Sequence, residues 1–209
     1  MEPIVDKDVE KYIYDLLPER DDVLMEIEQQ ARKRSIPIIG PAVARVIYQY
    51  ARIAGAKHVF EMGSAIGYST IWLARAVGKD GKVYYTDGDP KNAAEARSYF
   101  ERSGVEGQIE VMVGDAFESL DKVKGEFDLI FNDVDKHQYP QAFRKAVPRI
   151  RKGGLLITDN VLWSGRVARG DKDANTEGVR EFNRLIYSSK QLYPTILPIR
   201  DGIAVCVKL

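Results

Sequence analysis

From residue 58 onward the chain alternates short apolar runs with amphipathic stretches, and no other feature restricts its folding as strongly. A short apolar run satisfies its backbone inside a buried sheet, and an amphipathic stretch covers one sheet face, so the alternation builds strand–helix units around a parallel sheet. The spacing predicts strands over residues 58–62, 82–86, 109–113, 127–132 and 154–158, then a terminal pair over 193–198 and 202–208. Helices are expected between them at 68–76, 90–103, 139–147 and 177–188. Asp89 followed by Pro90 is a helix cap with proline at the first helical position. Ile199-Arg200-Asp201-Gly202 is a turn sequence, which sets the last strand antiparallel to its neighbour.

Ahead of this alternation, apolar positions recur at helical spacing over 9–17, 23–31 and 41–54, and Gly55 closes the third segment. The 209 residues are the size of one domain, so the expected organisation is a helical part over 1–54 joined to an α/β core over 55–209. Hydrophobic residues at 44% and charged residues at 30% exclude a disordered or collagen-like chain. Thirty-one basic residues balance thirty-one acidic ones, which removes the global field of a nucleic-acid or membrane binder but leaves room for a local basic patch. A lone Cys206 excludes a disulfide framework and a multi-cysteine zinc site. The opening Met1–Asp8 is acidic without an apolar export region, and no apolar run approaches the roughly 18 residues of a membrane span. A cytoplasmic protein with no membrane partner is expected.

The strand over 58–62 runs into Glu61-Met62-Gly63-Ser64-Ala65-Ile66-Gly67-Tyr68-Ser69-Thr70, a glycine turn that opens a helix. Such a turn lets backbone amides approach a nucleotide-like ligand. Ala65 and Tyr68 stand where a dinucleotide fingerprint needs its second and third glycines, which disfavours a pyrophosphate cradle and a dehydrogenase. Asp87 follows about 20 residues after Gly67, at the tip of the next strand, where a carboxylate accepts ribose hydroxyls. The third strand ends in Gly114-Asp115-Ala116, at the expected adenine edge.

The fourth and fifth strands end in Asn132-Asp133-Val134-Asp135-Lys136 and Thr158-Asp159-Asn160. Ligands of open α/β sheets bind beyond the carboxyl ends of the strands, so these tips face one crevice. Asp133, Asp159 and Asn160 offer two carboxylates and an amide carbonyl, hard oxygens that suit magnesium, with manganese or calcium as alternatives. Taken singly, an aspartate at a strand end is also an ordinary helix cap. Lys136 lies close enough to share the site and, beside a divalent cation, to serve as a base; its plainer reading is a surface lysine. His58 and His137 have no metal-ligand partner at useful spacing.

Together, Glu61–Ser69, Asp87-Gly88-Asp89-Pro90, Gly114-Asp115-Ala116, Asp133–Tyr139, Asp159–Gly165 and Leu197–Ile203 resemble the cation-dependent O-methyltransferases, which include catechol and caffeoyl-coenzyme A O-methyltransferases. The match runs in order from about residue 35 to the end. The resemblance implies a Rossmann-like, doubly wound seven-stranded sheet with its last strand antiparallel, helices on both faces and extra N-terminal helices. It implies S-adenosylmethionine as methyl donor, with Ile39, Glu61, Gly63, Ser64 and Ser69 around its methionine part, Asp87 on the ribose, and Asp115 and Ala116 beside the adenine. Asp133, Asp159 and Asn160 would hold the cation, Asp133 also near the cofactor, with Lys136 as general base. Asn132 and Gly88 depart from the apolar residues usual at those positions, and the first 34 residues and the loop 166–176 carry no family signature.

The chemistry read from the residues agrees: a cation binding two adjacent acceptor oxygens fixes the nucleophile in line with a sulfonium methyl while Lys136 removes the proton. The expected acceptor is a catechol-like or hydroxycinnamoyl-type phenol, with Trp163 and Tyr139 walling its pocket unless they are plain core aromatics. The alternative acceptor is 5-hydroxyuridine in tRNA, a base methylated by some bacterial relatives, with Arg144, Lys145, Arg149, Arg151, Lys152, Arg166, Arg169 and Lys172 as the basic residues that would meet RNA. A non-catalytic nucleotide-binding module is a further alternative, opposed by the complete donor set and lysine. Relatives suggest a homodimer in which the N-terminal helices take part.

Overall fold

The computed structural model describes residues 4–209; Met1, Glu2 and Pro3 of the acidic opening segment lie outside the described residues. Three helices come first: α1 (Lys7–Asp15), α2 (Asp22–Arg34) and α3 (Gly40–Ile53). Asp6 caps α1 by accepting from the Asp8 and Val9 amides, and Asp21 caps α2 by accepting from Leu24. Arg32, Lys33 and Arg34 close the last turn of α2, where cations offset the exposed carbonyl dipoles.

The alternating part forms β1 (His58–Met62), α4 (Tyr68–Val77), β2 (Lys82–Asp87), α5 (Pro90–Arg102), β3 (Ile109–Val113), α6 (Ala116–Lys122), β4 (Phe127–Asn132), α7 (Tyr139–Ala146), β5 (Ile150–Thr158), α8 (Arg166–Arg169), α9 (Ala174–Ser188), β6 (Leu192–Leu197) and β7 (Ile203–Lys208). The sheet is seven-stranded in the order β3-β2-β1-β4-β5-β7-β6. Strands β1 to β5 pair in parallel, and β7 runs antiparallel to both β5 and β6. Two apolar cores cover the faces: Val59, Leu129, Phe131 and Ile157 pack under α3 and α4, and Phe60, Ile130, Leu156 and Cys206 pack under α7 and α9. No helix among the described residues is long and apolar enough to cross a membrane.

The expected sheet is the observed one, with local differences. Strand β5 starts at Ile150, ahead of the expected Gly154: Arg151-Lys152-Gly153-Gly154 reads as a turn, but the chain stays extended through an irregularity opposite Phe127 and Leu129. There Arg151 pairs with Asp128 at 2.5 Å. Helix α6 was not legible from periodicity because it is short; its signal is Asp115, whose side chain accepts from the Phe117 and Glu118 amides. Asp173 starts α9 at Ala174 rather than 177, and α8 occupies part of the expected loop.

Two polar arrangements lock the site-bearing loops. Glu28 on α2, 7% exposed, accepts from the Tyr68 hydroxyl at 2.7 Å and from Arg20 at 2.8 and 2.9 Å, tying the N-terminal helices to the start of α4. Gly63, with φ +83°, lies so close to the end of β4 that an added Cβ would stand 2.6 Å from the Asp133 carbonyl oxygen. A Cβ at Gly67 would stand 2.5 Å from the Phe100 ring on α5. The glycines of the turn therefore serve close packing between elements as well as ligand approach.

Removing Glu28 strands both the Tyr68 hydroxyl and Arg20, so Glu28→Ala is expected to cost about 3 kcal/mol and Tyr68→Phe about 1 kcal/mol in urea unfolding. Equal costs would show that the carboxylate is not the hub. Gly63→Ala, strained and crowded, is expected to cost about 2–4 kcal/mol. Gly88→Ala, where nothing lies within 4 Å of the new Cβ, should stay within about 0.5 kcal/mol in the same measurement.

Candidate active site

The carboxyl ends of β1 to β5 open into one crevice of about 500 Å³, within the usual size of a ligand site. Gly63, Ala65, Asp87, Asp115, Ala116, Asp133, Lys136, Asp159 and Asn160 line it, so most of the residues singled out in the sequence meet at one place. The loop ahead of α3 covers one side through Ile36, Pro37 and Ile38. Ile39 itself is buried behind them.

At the turn after β1, Glu61 is fully buried beneath the crevice. The Ser64 hydroxyl donates to Glu61 Oε2 at 2.8 Å and Thr70 donates to the same oxygen, while Glu61 Oε1 is buried without a partner. Burial pushes the carboxyl up to about 7, against the hydroxyls of Ser69, Thr70 and Ser64, and the Asp133 charge adds to the rise. Ser64 and Ser69 are buried and brace this carboxylate. Asp87 accepts from the Ala65 amide at 3.0 Å, the Asp89 amide at 2.8 Å and Asn92 at 3.1 Å, which fixes the carboxylate at the mouth of the turn. Asp115 both caps α6 and faces the crevice.

Opposite lies the second acidic group. Lys136 Nζ donates to Asp133 Oδ1 at 2.7 Å and stands 5.3 and 5.9 Å from the Tyr139 and Trp163 ring centroids. Asp159 is 1% exposed, and its Oδ1 is buried with no partner. Burial and then the Asp133 charge push Asp159 up to about 7, with Arg200, 4.0 Å away, opposing. Burial also raises Asp133, against the pull of Lys136. Two carboxylates that resist sharing charge, an orphaned oxygen and the neighbouring Asn160 form a donor set that fits a hard divalent cation. Among the described residues no three His, Cys, Asp or Glu side chains form such a cluster, so the set needs the amide of Asn160.

The loops carrying these groups are strained. Ala65, Asn160 and Arg200, which line the crevice, and Trp163 and Ser164 beside it have φ between 46 and 54° without being glycine. Asp201 holds this arrangement by accepting from the Ser164 amide and from Asn160 Nδ2 at 3.4 Å. Tyr139 is fully buried against Phe182, and its hydroxyl donates to the Asp159 carbonyl at 2.8 Å, so it supports the site from beneath rather than walling it. Trp163 is partly exposed and closer to the expected role. Gly178 on α9 packs so tightly that a Cβ would stand 2.4 Å from the Lys136 carbonyl oxygen, which seats the turn that carries the lysine.

Sequence reasoning missed Arg200, which lines the crevice and donates to the Ile38 carbonyl at 2.8 Å, and Tyr14 on α1, whose hydroxyl is raised by burial and feels Arg200 and Asp159. Only the turn sequence around Arg200 hinted at either. Asn132 proves fully buried with neither amide atom bonded, beside Thr158, whose hydroxyl is likewise unpartnered.

The fold has counterparts among known proteins. The catechol O-methyltransferase of Niastella koreensis is 33% identical over 211 residues, covering 95% of this chain and 96% of that protein. An O-methyltransferase from Bacillus cereus, solved in complex with SAH, superposes with a TM-score of 0.87 at 32% identity over 97% of each chain. The O-methyltransferase TomG from Streptomyces achromogenes, solved with SAM, gives a TM-score of 0.87 at 28% identity over 96% of each. The family model described as O-methyltransferase matches residues 18–209, and the chain belongs to that family.

Proposed function

We infer that the protein moves the methyl group of S-adenosylmethionine to one hydroxyl of a small phenol with two adjacent oxygens, in a reaction that depends on a divalent cation, magnesium first. The observation that carries this reading is that Asp133 and Asp159 line one crevice with Glu61 buried beneath it, and that Glu61 Oε1 and Asp159 Oδ1 are buried without a partner. Such a site is stabilised by ligands that bring positive charge, which a sulfonium amino acid and a hard cation both do.

When bound, the cofactor supplies an electrophilic methyl. Asp133, Asp159 and Asn160 would hold a divalent cation, which would supply Lewis acidity there. Glu61 Oε1 is free to accept from the ammonium of the methionine part, Asp87 to accept ribose hydroxyls, and Asp115 with Ala116 to border the adenine. Lys136 takes the acceptor proton, and its contact with Asp133 holds Nζ at the crevice. Trp163 borders the acceptor, and the loop ahead of α3 limits water.

The small-molecule reading is favoured over tRNA because most of the basic residues of the two clusters are internally engaged. Arg144 pairs with Glu181, Lys145 with Asp121, Arg151 with Asp128, and Arg166 with Asp171 and Asp173. Arg149 is spent on the carbonyls of Leu120, Val123 and Gly125. A homodimer has a surface available in the exposed Val9, Tyr12 and Ile13 of α1 and Leu16 just after it.

Labelled methyl transfer to a catechol and to tRNA bearing 5-hydroxyuridine, each with and without EDTA, tests this function. Chelator-sensitive labelling of the catechol alone is expected; labelling of the tRNA alone would move the acceptor to RNA. Asp159→Ala should lower turnover about a hundredfold or more while S-adenosylmethionine still binds by calorimetry. Lys136→Met should lower kcat by about two to four orders of magnitude with KM little changed. Unaltered turnover in either variant would remove that residue from the mechanism.

A further inference from the structure

Beyond Arg200 a second cavity opens. It measures about 220 Å³ and lies between α1, α3 and the turn joining β6 to β7. Arg200 lines both cavities and forms the partition between them, with its guanidinium 4.0 Å from Asp159 and its Nη1 bonded to the Ile38 carbonyl. The second cavity thus adjoins the crevice at Arg200.

The lining is chemically uneven. Ile13, Leu17, Ala42, Pro198 and Ile199 make its walls apolar. Against them stand two guanidiniums, Arg45 and Arg200, and one carboxylate, Glu10. Arg200 is already committed to Ile38 and Asp159, whereas Arg45 has no hydrogen-bond or ion-pair partner among the described residues. Tyr14 also borders the space, its hydroxyl 3.5 Å from where a Cβ on Gly40 would stand, at the junction of α1 and α3. An apolar sleeve of this size with an unengaged arginine suits a short hydrocarbon arm that ends in a carboxylate, because a guanidinium binds a carboxylate through paired charge-assisted hydrogen bonds.

We propose that this cavity is the acceptor's tail site, and that the preferred acceptors are catechols bearing a short apolar arm with a terminal carboxylate, read by Arg45. The inference rests on the catechol reading of the main crevice. Arg200 then acts as the shared wall over which the arm passes, and α1 with the turn that follows it contributes to specificity through Ile13, Tyr14 and Leu17.

The test compares 3-(3,4-dihydroxyphenyl)propanoate with its methyl ester as methyl acceptors, in the wild type and in Arg45→Gln, with magnesium present. The wild type should favour the acid by about tenfold or more in kcat/KM, carried by KM, and Arg45→Gln should bring the ratio near one. Ile13→Trp, a substitution on a half-exposed helix position that narrows the sleeve, should raise KM for both arm-bearing acceptors relative to unsubstituted catechol. Equal use of acid and ester by the wild type, with both methylated, would overturn the tail site and leave the catechol reading intact. Calorimetric binding of 3-phenylpropanoate separates the opposite case. Binding that weakens about tenfold in Arg45→Gln, with no catechol methylated, would keep the tail site and remove the catechol reading; no binding and no methylation would overturn both.

Discussion

Two carboxylates, Asp133 and Asp159, line one crevice beside Lys136 and Arg200, a third, Glu61, is buried beneath it, and the rest of the architecture serves to keep them there. Left to themselves, such groups would separate or reach water, since burying unpaired like charge is costly. The fold prevents this by fixing each at the carboxyl end of a different parallel strand and tying those ends together. Gly63 lets the β1 turn touch the Asp133 backbone, Tyr139 holds the Asp159 carbonyl, and Asp201 clamps the loop that carries Asn160. What remains is stored electrostatic demand that a cationic ligand can meet.

The sheet was legible in the sequence because strand and helix periods alternate cleanly and because Asp89-Pro90 and Gly55 mark helix ends. The crevice was legible for a topological reason: residues at the carboxyl ends of parallel strands converge, so Asp87, Asp133 and Asp159 had to meet. Roles that depend on packing were not legible. Ser64 and Ser69 turn inward to brace Glu61, Tyr139 lies beneath the site, and Gly67 makes room for Phe100, none of which spacing encodes. Arg200 and Tyr14 come from distant parts of the chain, and no local pattern joins them.

The first 34 residues carried no family signature, and in the structure the loop that follows them borders one side of the crevice through Ile36, Pro37 and Ile38. Glu28 couples α2 to α4, Arg200 reaches back to Ile38, and α1 lies over the turn between β6 and β7.

The most direct measurement of the central claim is a calorimetric titration of magnesium into the protein in buffers of different ionisation enthalpy, which counts the protons displaced. Burial holds Asp159 near 7 and raises Asp133. The carboxylate pair should therefore release about one proton per cation near pH 6, and the release should fade toward about pH 9 as the pair ionises unaided. Magnesium binding without proton release near pH 6, or no magnesium binding at all, would contradict the account.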